Sequence, residues 1–213
     1  MESGLRIEWQ SVPGAAVALC EHGRVTRLLA ALLAVSVVIL LTGCSSDDGA
    51  EPPAVAASSP QVARLGWVER SPVTGPALVF HTHRLAVTGD GWEADVEIRN
   101  ETGIAWEIAT DPVAVARSFG LMLFATGTLA EVEERGADGD LPGLRSARSF
   151  VPALPRRLAP GTRWRGTVSA DGALATGRFL RVVFGPLVAD GDPPGDLPDR
   201  FVWITDHAYE LKP

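Results

Sequence analysis

The chain has 213 residues, of which 46% are hydrophobic and 21% charged, and its formal net charge is −7. The hydrophobic share supplies a core, which excludes wholesale disorder, and the length suits one domain with extensions. The acidic balance argues against a nucleic-acid-binding protein, which needs a basic face. Two cysteines exclude a disulfide-dense scaffold and a zinc site built from several cysteines.

An apolar run follows two arginines near the N-terminus. Arg24 and Arg27 precede residues 28–41, a run of 14 residues whose only polar side chain is that of Ser36. A membrane-spanning helix needs roughly 20 apolar residues, whereas the hydrophobic region of an export signal needs about 7–15. The length therefore favours an export signal over a membrane span. Residues 1–24 lengthen its basic region unusually, and we expect translation to start at Val25.

The apolar run ends in Leu41-Thr42-Gly43-Cys44, which resembles the lipobox of bacterial lipoproteins. The resemblance implies that the bond between Gly43 and Cys44 is cleaved, so that residues 1–43 are the signal peptide. It also implies that the thiol of Cys44 receives a diacylglycerol. Two buried acyl chains, at about 0.8 kcal/mol per methylene, contribute on the order of 20 kcal/mol. The implied location is the extracytoplasmic face of the cell membrane, with palmitate-type acylation. The alternative is an uncleaved signal anchor with an incidental cysteine.

Removing residues 1–43 leaves 170 residues whose single cysteine is the acylated one, so no disulfide is expected. Residues 45–60 are rich in serine, proline and alanine and contain no aromatic residue. Such a composition is typical of a tether, which spans about 20 Å as a coil and about 50 Å when extended. Residues 61–213 are therefore the predicted folded domain.

Strict alternation predicts strands in this domain. In residues 92–100, Trp92, Ala94, Val96 and Ile98 fall on one face and charged residues on the other, as in a half-buried antiparallel strand. Further strands are predicted, in chain order, at 78–87, 106–109, 119–126, 163–169, 179–184 and 201–205.

Turn residues separate these predicted strands. Residues 88–91 predict a hairpin, and 158–161 predict a type II turn in which Gly161 has a positive φ. The segment 129–135 fits either a short helix or an edge strand. Seven or so short strands in about 150 residues predict an all-β fold, an antiparallel β-sandwich.

From residue 78 to 211 the chain resembles the immunoglobulin-like sandwich domains of bacterial surface lipoproteins. The resemblance rests on the strand 92–100, on the Pro160-Gly161 turn followed by residues 164–168, and on the late strand 179–184. The chain departs from antibody-type domains because it lacks their paired core cysteines. The resemblance implies a fold but no ligand, because this fold carries many functions.

His81 and His83 form the sharpest candidate metal site. A spacing of two places both imidazoles on one strand face, which suits Zn²⁺ or Cu²⁺, and Asp206 or His207 is a candidate third ligand. The alternative is a pair of ordinary, half-buried histidines. Three apolar residues share their predicted face: Val79, Leu85 and Val87.

Acidic turns are candidates for calcium binding. Asp190, Asp192 and Asp196 offer hard oxygen ligands, but the EF-hand spacing is absent and Asp-Gly and Pro-Gly pairs form turns by themselves.

Catalysis has little support in the sequence, which lacks nucleophile-elbow, phosphate-loop and metalloprotease motifs. Glu93, Asp95 and Glu97 share one strand face, where alternating charge on a solvated strand is commoner than a carboxylate pair. Tryptophans offer a glycan- or peptide-binding surface, and those considered for it are Trp67, Trp106 and Trp203.

These patterns predict a membrane-anchored lipoprotein without catalytic activity or cofactor, whose role is binding or assembly in the cell envelope. The expected partners are the membrane, through the lipid anchor, and an envelope protein, peptide or glycan, but no nucleic acid. The first alternative is a metal-handling lipoprotein that uses His81 and His83. A less favoured alternative is an envelope hydrolase.

Overall fold

The computed structural model describes residues 56–108, 119–195 and 197–213, which form two antiparallel sheets and one short helix. The predicted all-β class is therefore confirmed. The predicted signal peptide, Gly43, Cys44 and most of the tether lie outside the described residues and stay predictions.

Each predicted strand has a counterpart in the structure. The strands are β1 (Gln61–Ser71), β2 (Leu78–Val87), β3 (Gly91–Asn100), β4 (Ala105–Glu107), β5 (Phe119–Phe124), β6 (Arg145–Ser146), β7 (Ser149–Val151), β8 (Arg157–Leu158), β9 (Arg163–Asp171), β10 (Phe179–Asp190), β11 (Arg200–Ile204) and β12 (Tyr209–Glu210). The helix α1 (Leu129–Asp138) lies between β5 and β6. Strand β1 and the short strands β6, β7, β8 and β12 were not among the predicted strands. The short ones span two or three residues and carry no alternation signal.

The first sheet has the strand order β1-β2-β3-β9-β7, and the second has β6-β5-β10-β4-β8, with β11 and β12 also paired to β10. Strand β10 is the centre of the second sheet. Its Val183 pairs with Gly120 of β5 on one side and with Ile204 of β11 on the other. Strand β10 extends six residues beyond the predicted end at Phe184, because a register shift between Phe184 and Leu187 lets the pairing continue past Gly185-Pro186.

Aromatic rings from both sheets meet in the core. Phe80 of β2 lies 4.9 Å from the ring of Phe184 and stacks on Trp203 at 5.4 Å, measured between centroids. Phe119 packs edge-on against Phe184 at 5.3 Å and contacts Trp164 at 6.1 Å. Each such ring, when fully buried, contributes about 1.5–3 kcal/mol, so these contacts hold the two sheets together.

The alternation predicted for β3 is confirmed. Trp92, Ala94, Val96 and Ile98 are all buried in the core. Their neighbours along the strand therefore lie on the outer face of the first sheet, the face turned away from the second sheet.

A β-bulge at His83 changes which residues of β2 point into the core. Thr82 pairs with Val96 and Arg84 pairs with Asp95, so His83 has no partner in β3. One extra residue moves every later side chain to the opposite face. The expectation that His81 and His83 share a face with Leu85 and Val87 is therefore wrong. Those two aliphatic residues point into the core with Phe80, whereas the histidines lie on the outer face.

Residues 129–135, which fit either a short helix or an edge strand, form a helix because both of its ends are capped. The Thr128 side chain accepts a hydrogen bond from the Glu131 backbone N–H, and the Glu131 carboxylate accepts from the backbone N–H of Thr126 at 2.6 Å. Gly139 ends α1 in the left-handed conformation, with φ 71°. Among the described residues, no helix has the length and apolar character needed to span a bilayer.

Candidate functional site

Strand β1 directs a carboxylate towards the second sheet. Glu69 pairs in register with Phe80, whose ring lies in the core, so the Glu69 side chain also points inwards. It is buried, with 7% of its surface exposed. A buried carboxylate needs hydrogen-bond donors to offset the loss of water.

Four donors surround the Glu69 carboxylate, and all of them come from the segment that ends β11 and continues after it. The indole N–H of Trp203 donates to Oε2. Oε1 accepts from the backbone N–H groups of Asp206 at 2.9 Å and His207 at 3.4 Å, and it lies 3.0 Å from Nδ1 of His207. Burial raises the pKa of Glu69 above its ordinary value, and the hydrogen bonds from His207 and Trp203 offset part of this shift.

A buried guanidinium holds the same turn from its carbonyl side. Arg181 of β10 is 0% exposed and donates to the backbone oxygens of Thr205 at 2.6 Å, Asp206 at 2.7 Å and Gly127 at 2.8 Å. Its guanidinium carbon lies 5.7 Å from the centroid of the Phe124 ring. Burial lowers the pKa of Arg181, and the nearby carboxylates oppose that shift. Glu69 and Arg181 thus fix opposite sides of one turn.

A pocket of about 290 Å³ opens beside this turn. Its floor includes Glu69 and Trp203, and the aliphatic side chains of Val68, Val73 and Leu129 lie along its wall. Two of these aliphatic residues are unusually exposed, Val68 at 54% and Val73 at 58%. Arg70, Asp206 and His207 complete the lining.

The imidazole of His207 is oriented at the pocket rim. It stacks on Trp67 with ring centroids 5.5 Å apart and an angle of 17° between the planes. Because an ionised Glu69 only accepts hydrogen bonds, Nδ1 of His207 carries the proton and Nε2 is the acceptor in the neutral ring. The side chain is 54% exposed, so Nε2 is accessible to a ligand.

The two candidate metal-binding histidines lie elsewhere. The ring centroids of His81 and His83 are 3.6 Å apart, and His83 Nε2 lies 3.6 Å from the buried Glu97 carboxylate, which is too far for a hydrogen bond. Burial and the neighbouring His83 lower the pKa of His81. The structure brings neither candidate third ligand, Asp206 or His207, to them, since both lie beside Glu69 at the pocket.

Within the described ranges, no three histidine, cysteine, aspartate or glutamate side chains are placed to hold one metal ion. His83 Nε2 is nevertheless buried without a hydrogen-bond partner in the described part of the chain. A two-imidazole metal site at His81 and His83 stays a prediction.

The three carboxylates on the outer face of β3 are engaged by neighbouring side chains. Glu93 accepts from Arg84 at 2.8 Å, and Asp95 accepts from Thr167 at 2.8 Å. Glu97 accepts from Arg99, which lowers its pKa although burial alone would raise it. Glu93 and Asp95 are partly exposed, as expected for a solvated strand face, whereas Glu97 is buried with 2% of its surface exposed.

The tryptophans considered for binding occupy different environments. Trp106 is fully buried and donates its indole N–H to Thr102 at 3.1 Å, so its placement on a binding surface is wrong. Trp203 is buried but forms part of the pocket floor, and Trp67 holds His207. In the candidate calcium turn, Asp190 is paired with Arg157, and Asp196 lies outside the described residues.

The sequence predictions did not include Glu69 or Arg181, although each is a charged residue at a position whose neighbours predict burial. The odd positions of 61–71 include Leu65 and Trp67, so alternation places Glu69 on an apolar face. Arg181 interrupts the apolar run 179–184. A charge at a position predicted to be buried indicates a satisfied polar network or a functional group.

No family model matches the chain, and searches of curated proteins and of solved structures also found no significant match.

Proposed function

We propose that this protein is a lipoprotein anchored through Cys44 to the extracytoplasmic face of the cell membrane, and that its folded domain binds an envelope component without catalysing a reaction. The anchor is supported by the segment Leu41-Thr42-Gly43-Cys44 after a 14-residue apolar run. The tether gives the domain a reach of about 20–50 Å from the anchor.

We further propose that the domain has an immunoglobulin-like topology. The order β2-β3-β9-β7 matches the A-B-E-D sheet of that fold, and β11-β10-β5-β6 matches its G-F-C-C′ sheet. Strand β4 pairs with β10 on the same side as β5 and so extends the C strand. In this correspondence β1 is an additional strand at the outer edge of strand A.

The single observation that carries the binding role is the pocket beside Glu69. Its volume of about 290 Å³ is at the lower end of the range for small-molecule sites, which favours a peptide side chain or one sugar over a large cofactor. Val68 and Val73 expose apolar surface at its rim, and the Nε2 of His207 supplies a polar contact. The carboxylate of Glu69 is occupied by four donors, which favours a structural role for it over general-base catalysis.

The lipid anchor is tested by the substitution Cys44→Ser. We expect radioactive palmitate to label the wild-type protein in cells and to be lost from the variant, because only a thiol forms the thioether. The variant should move from the membrane fraction to the soluble fraction if the signal is still processed. Palmitate that persists on the Cys44→Ser protein would rule out Cys44 as the acylated residue.

The pocket is tested by cross-linking in intact cells. A photoreactive amino acid at Val73 is expected to form a discrete adduct with an envelope peptide, protein or glycan. The adduct should fall several-fold when Leu129→Glu places a charge on the apolar wall. The same photoreactive group at Arg178, an exposed residue preceding β10, is the control. Equal adduct formation at both positions would contradict a specific pocket.

A further inference from the structure

The outer face of the first sheet carries a concentrated positive charge at one end. In register, Arg70, Val79, Arg99 and Arg163 form one row across β1, β2, β3 and β9, and Val68, His81, Glu97 and Arg165 form the next row in which side chains point outwards. We define the basic patch as the charged groups of these rows and the adjoining acid: Arg70, Arg99, Arg163, Arg165, Glu97 and Glu101.

The patch has a net charge of +2 when the histidines are neutral, because four arginines face two carboxylates. The whole chain carries −7, so the remainder carries −9. Arg70 pairs with Glu101 and Arg99 pairs with Glu97. Arg163 and Arg165 are exposed and make no ion pair with any described residue. Their charges are therefore available to a partner.

Two arginines lie side by side at this end of the sheet. Arg99 and Arg163 are direct cross-strand neighbours, and like charges in that relation destabilise a sheet. Arg163 makes no ion pair with a described residue, but its charge adds to that of Arg99 in lowering the pKa of the buried Glu97 carboxylate. Two cations therefore lie beside one buried carboxylate, which leaves a net positive charge at this end of the sheet.

Apolar side chains are exposed on the same outer face. Val68 lies in the second row of the patch, Val62 precedes it on β1, and Val151 lies on the edge strand β7. Their exposed fractions are 54%, 65% and 65%. Only Val68 lies in the rows of the basic patch, whereas Val62 lies in the row of Glu93. A cation next to an exposed aliphatic group suits a bilayer surface, where the cation meets headgroups and the apolar group reaches the acyl boundary.

We propose that the basic patch docks the domain onto anionic phospholipid headgroups of the membrane that holds its lipid anchor. This rests on the proposed lipoprotein function, because the tether keeps the domain within about 50 Å of that surface. The charge distribution selects the orientation, since the patch is attracted to an anionic surface and the remainder of the domain is repelled. Val68 and Arg70 also line the pocket, so docking places the pocket rim at the membrane surface.

Vesicle binding tests the docking directly. The chain from residue 44 to 213 with Cys44→Ser, which lacks acyl groups, is mixed with phosphatidylcholine vesicles with or without phosphatidylglycerol. We expect sedimentation only with the anionic vesicles, and loss of binding near 1 M salt, where the Debye length is about 3 Å. The double substitution Arg163→Gln/Arg165→Gln should lower the partition coefficient about 25-fold, about fivefold for each arginine.

The matched control is Arg178→Gln/Arg200→Gln, which removes two exposed arginines next to or within the second sheet and makes the same change in net charge. It should leave binding within about twofold of the parent. Circular dichroism establishes that each variant keeps its strands. Equal losses in both pairs, or binding that ignores phosphatidylglycerol, would overturn the proposal.

Inorganic polyphosphate competes with any anionic surface for the basic patch, so its binding is measured in the absence of vesicles. Polyphosphate binding that is tighter than vesicle binding at equal charge concentration would indicate a soluble polyanion as the partner and would overturn membrane docking. The proposed lipoprotein function is judged separately. Vesicle binding is measured without any acyl chain, so its failure leaves the palmitate result intact, and loss of palmitate labelling leaves the vesicle result intact.

Discussion

The substitution Arg181→Met is expected to lower the free energy of unfolding by about 3–5 kcal/mol. The guanidinium of Arg181 is fully buried and donates to three backbone oxygens, those of Thr205, Asp206 and Gly127. Methionine fills a similar volume but leaves these carbonyl groups without donors, each at a cost of about 1–3 kcal/mol if it stays dry. It also removes the buried positive charge that faces Glu69.

Chemical denaturation followed by tryptophan fluorescence measures this loss. Arg178→Met is the control, because Arg178 is exposed three residues earlier in the chain and should change the unfolding free energy by less than about 0.5 kcal/mol. If Arg181→Met unfolds at the same denaturant concentration as the parent, the turn does not depend on the guanidinium.

The substitution Glu69→Ala is expected to lower the free energy of unfolding by about 2–4 kcal/mol near pH 5. The substitution leaves the indole N–H of Trp203 and the backbone N–H of Asp206 without an acceptor in a buried site. It also releases Nδ1 of His207, so the imidazole is no longer held over the pocket. We therefore expect the Val73 adduct to weaken in this variant as well.

The contribution of Glu69 should depend on pH in a defined direction. Its pKa is raised in the folded protein from an ordinary value of 4.5, chiefly by burial. A carboxyl group whose pKa is raised on folding contributes most to the free energy of unfolding below pH 4.5. That contribution falls as the pH rises through the pKa of the folded protein. The cost of Glu69→Ala should accordingly shrink as the pH rises above 4.5.

Denaturation of the parent and of Glu69→Ala at a series of pH values measures that trend. A cost that grows with rising pH would mean that hydrogen bonds to the ionised carboxylate outweigh its burial. In that case the raised pKa would be wrong.

Local patterns allowed the strands to be predicted, because alternation records which side of a strand faces the core. The residues Trp92, Ala94, Val96 and Ile98 are buried as their spacing predicts. The turn at Pro160-Gly161 was also predictable, and Gly161 has a φ of 70°. Residues 129–135 fitted either a helix or an edge strand. The structure shows a helix, which is capped at its N-terminus by Thr128.

The candidate site was only partly predictable. Trp203 and His207 were singled out from their residue types, but their common partner Glu69 lies more than 130 positions earlier in the chain. The histidine pair was assigned the wrong neighbours, because one extra residue at His83 shifts the phase of β2. A bulge forms from the pairing of two strands, so its position is not encoded in the alternation of one strand alone.

The sequence alone determined the strand content, the acidic balance and the prediction of an exported, acylated chain, because each depends on composition or on neighbours along the chain. The tertiary structure decided where charge is concentrated. Arg70, Arg99, Arg163 and Arg165 come from β1, β3 and β9, which only the sheet brings together, with β2 between β1 and β3. The net charge of −7 is a sum over the whole chain and contains no information about position. It therefore does not reveal the basic patch that the strand register forms on one face.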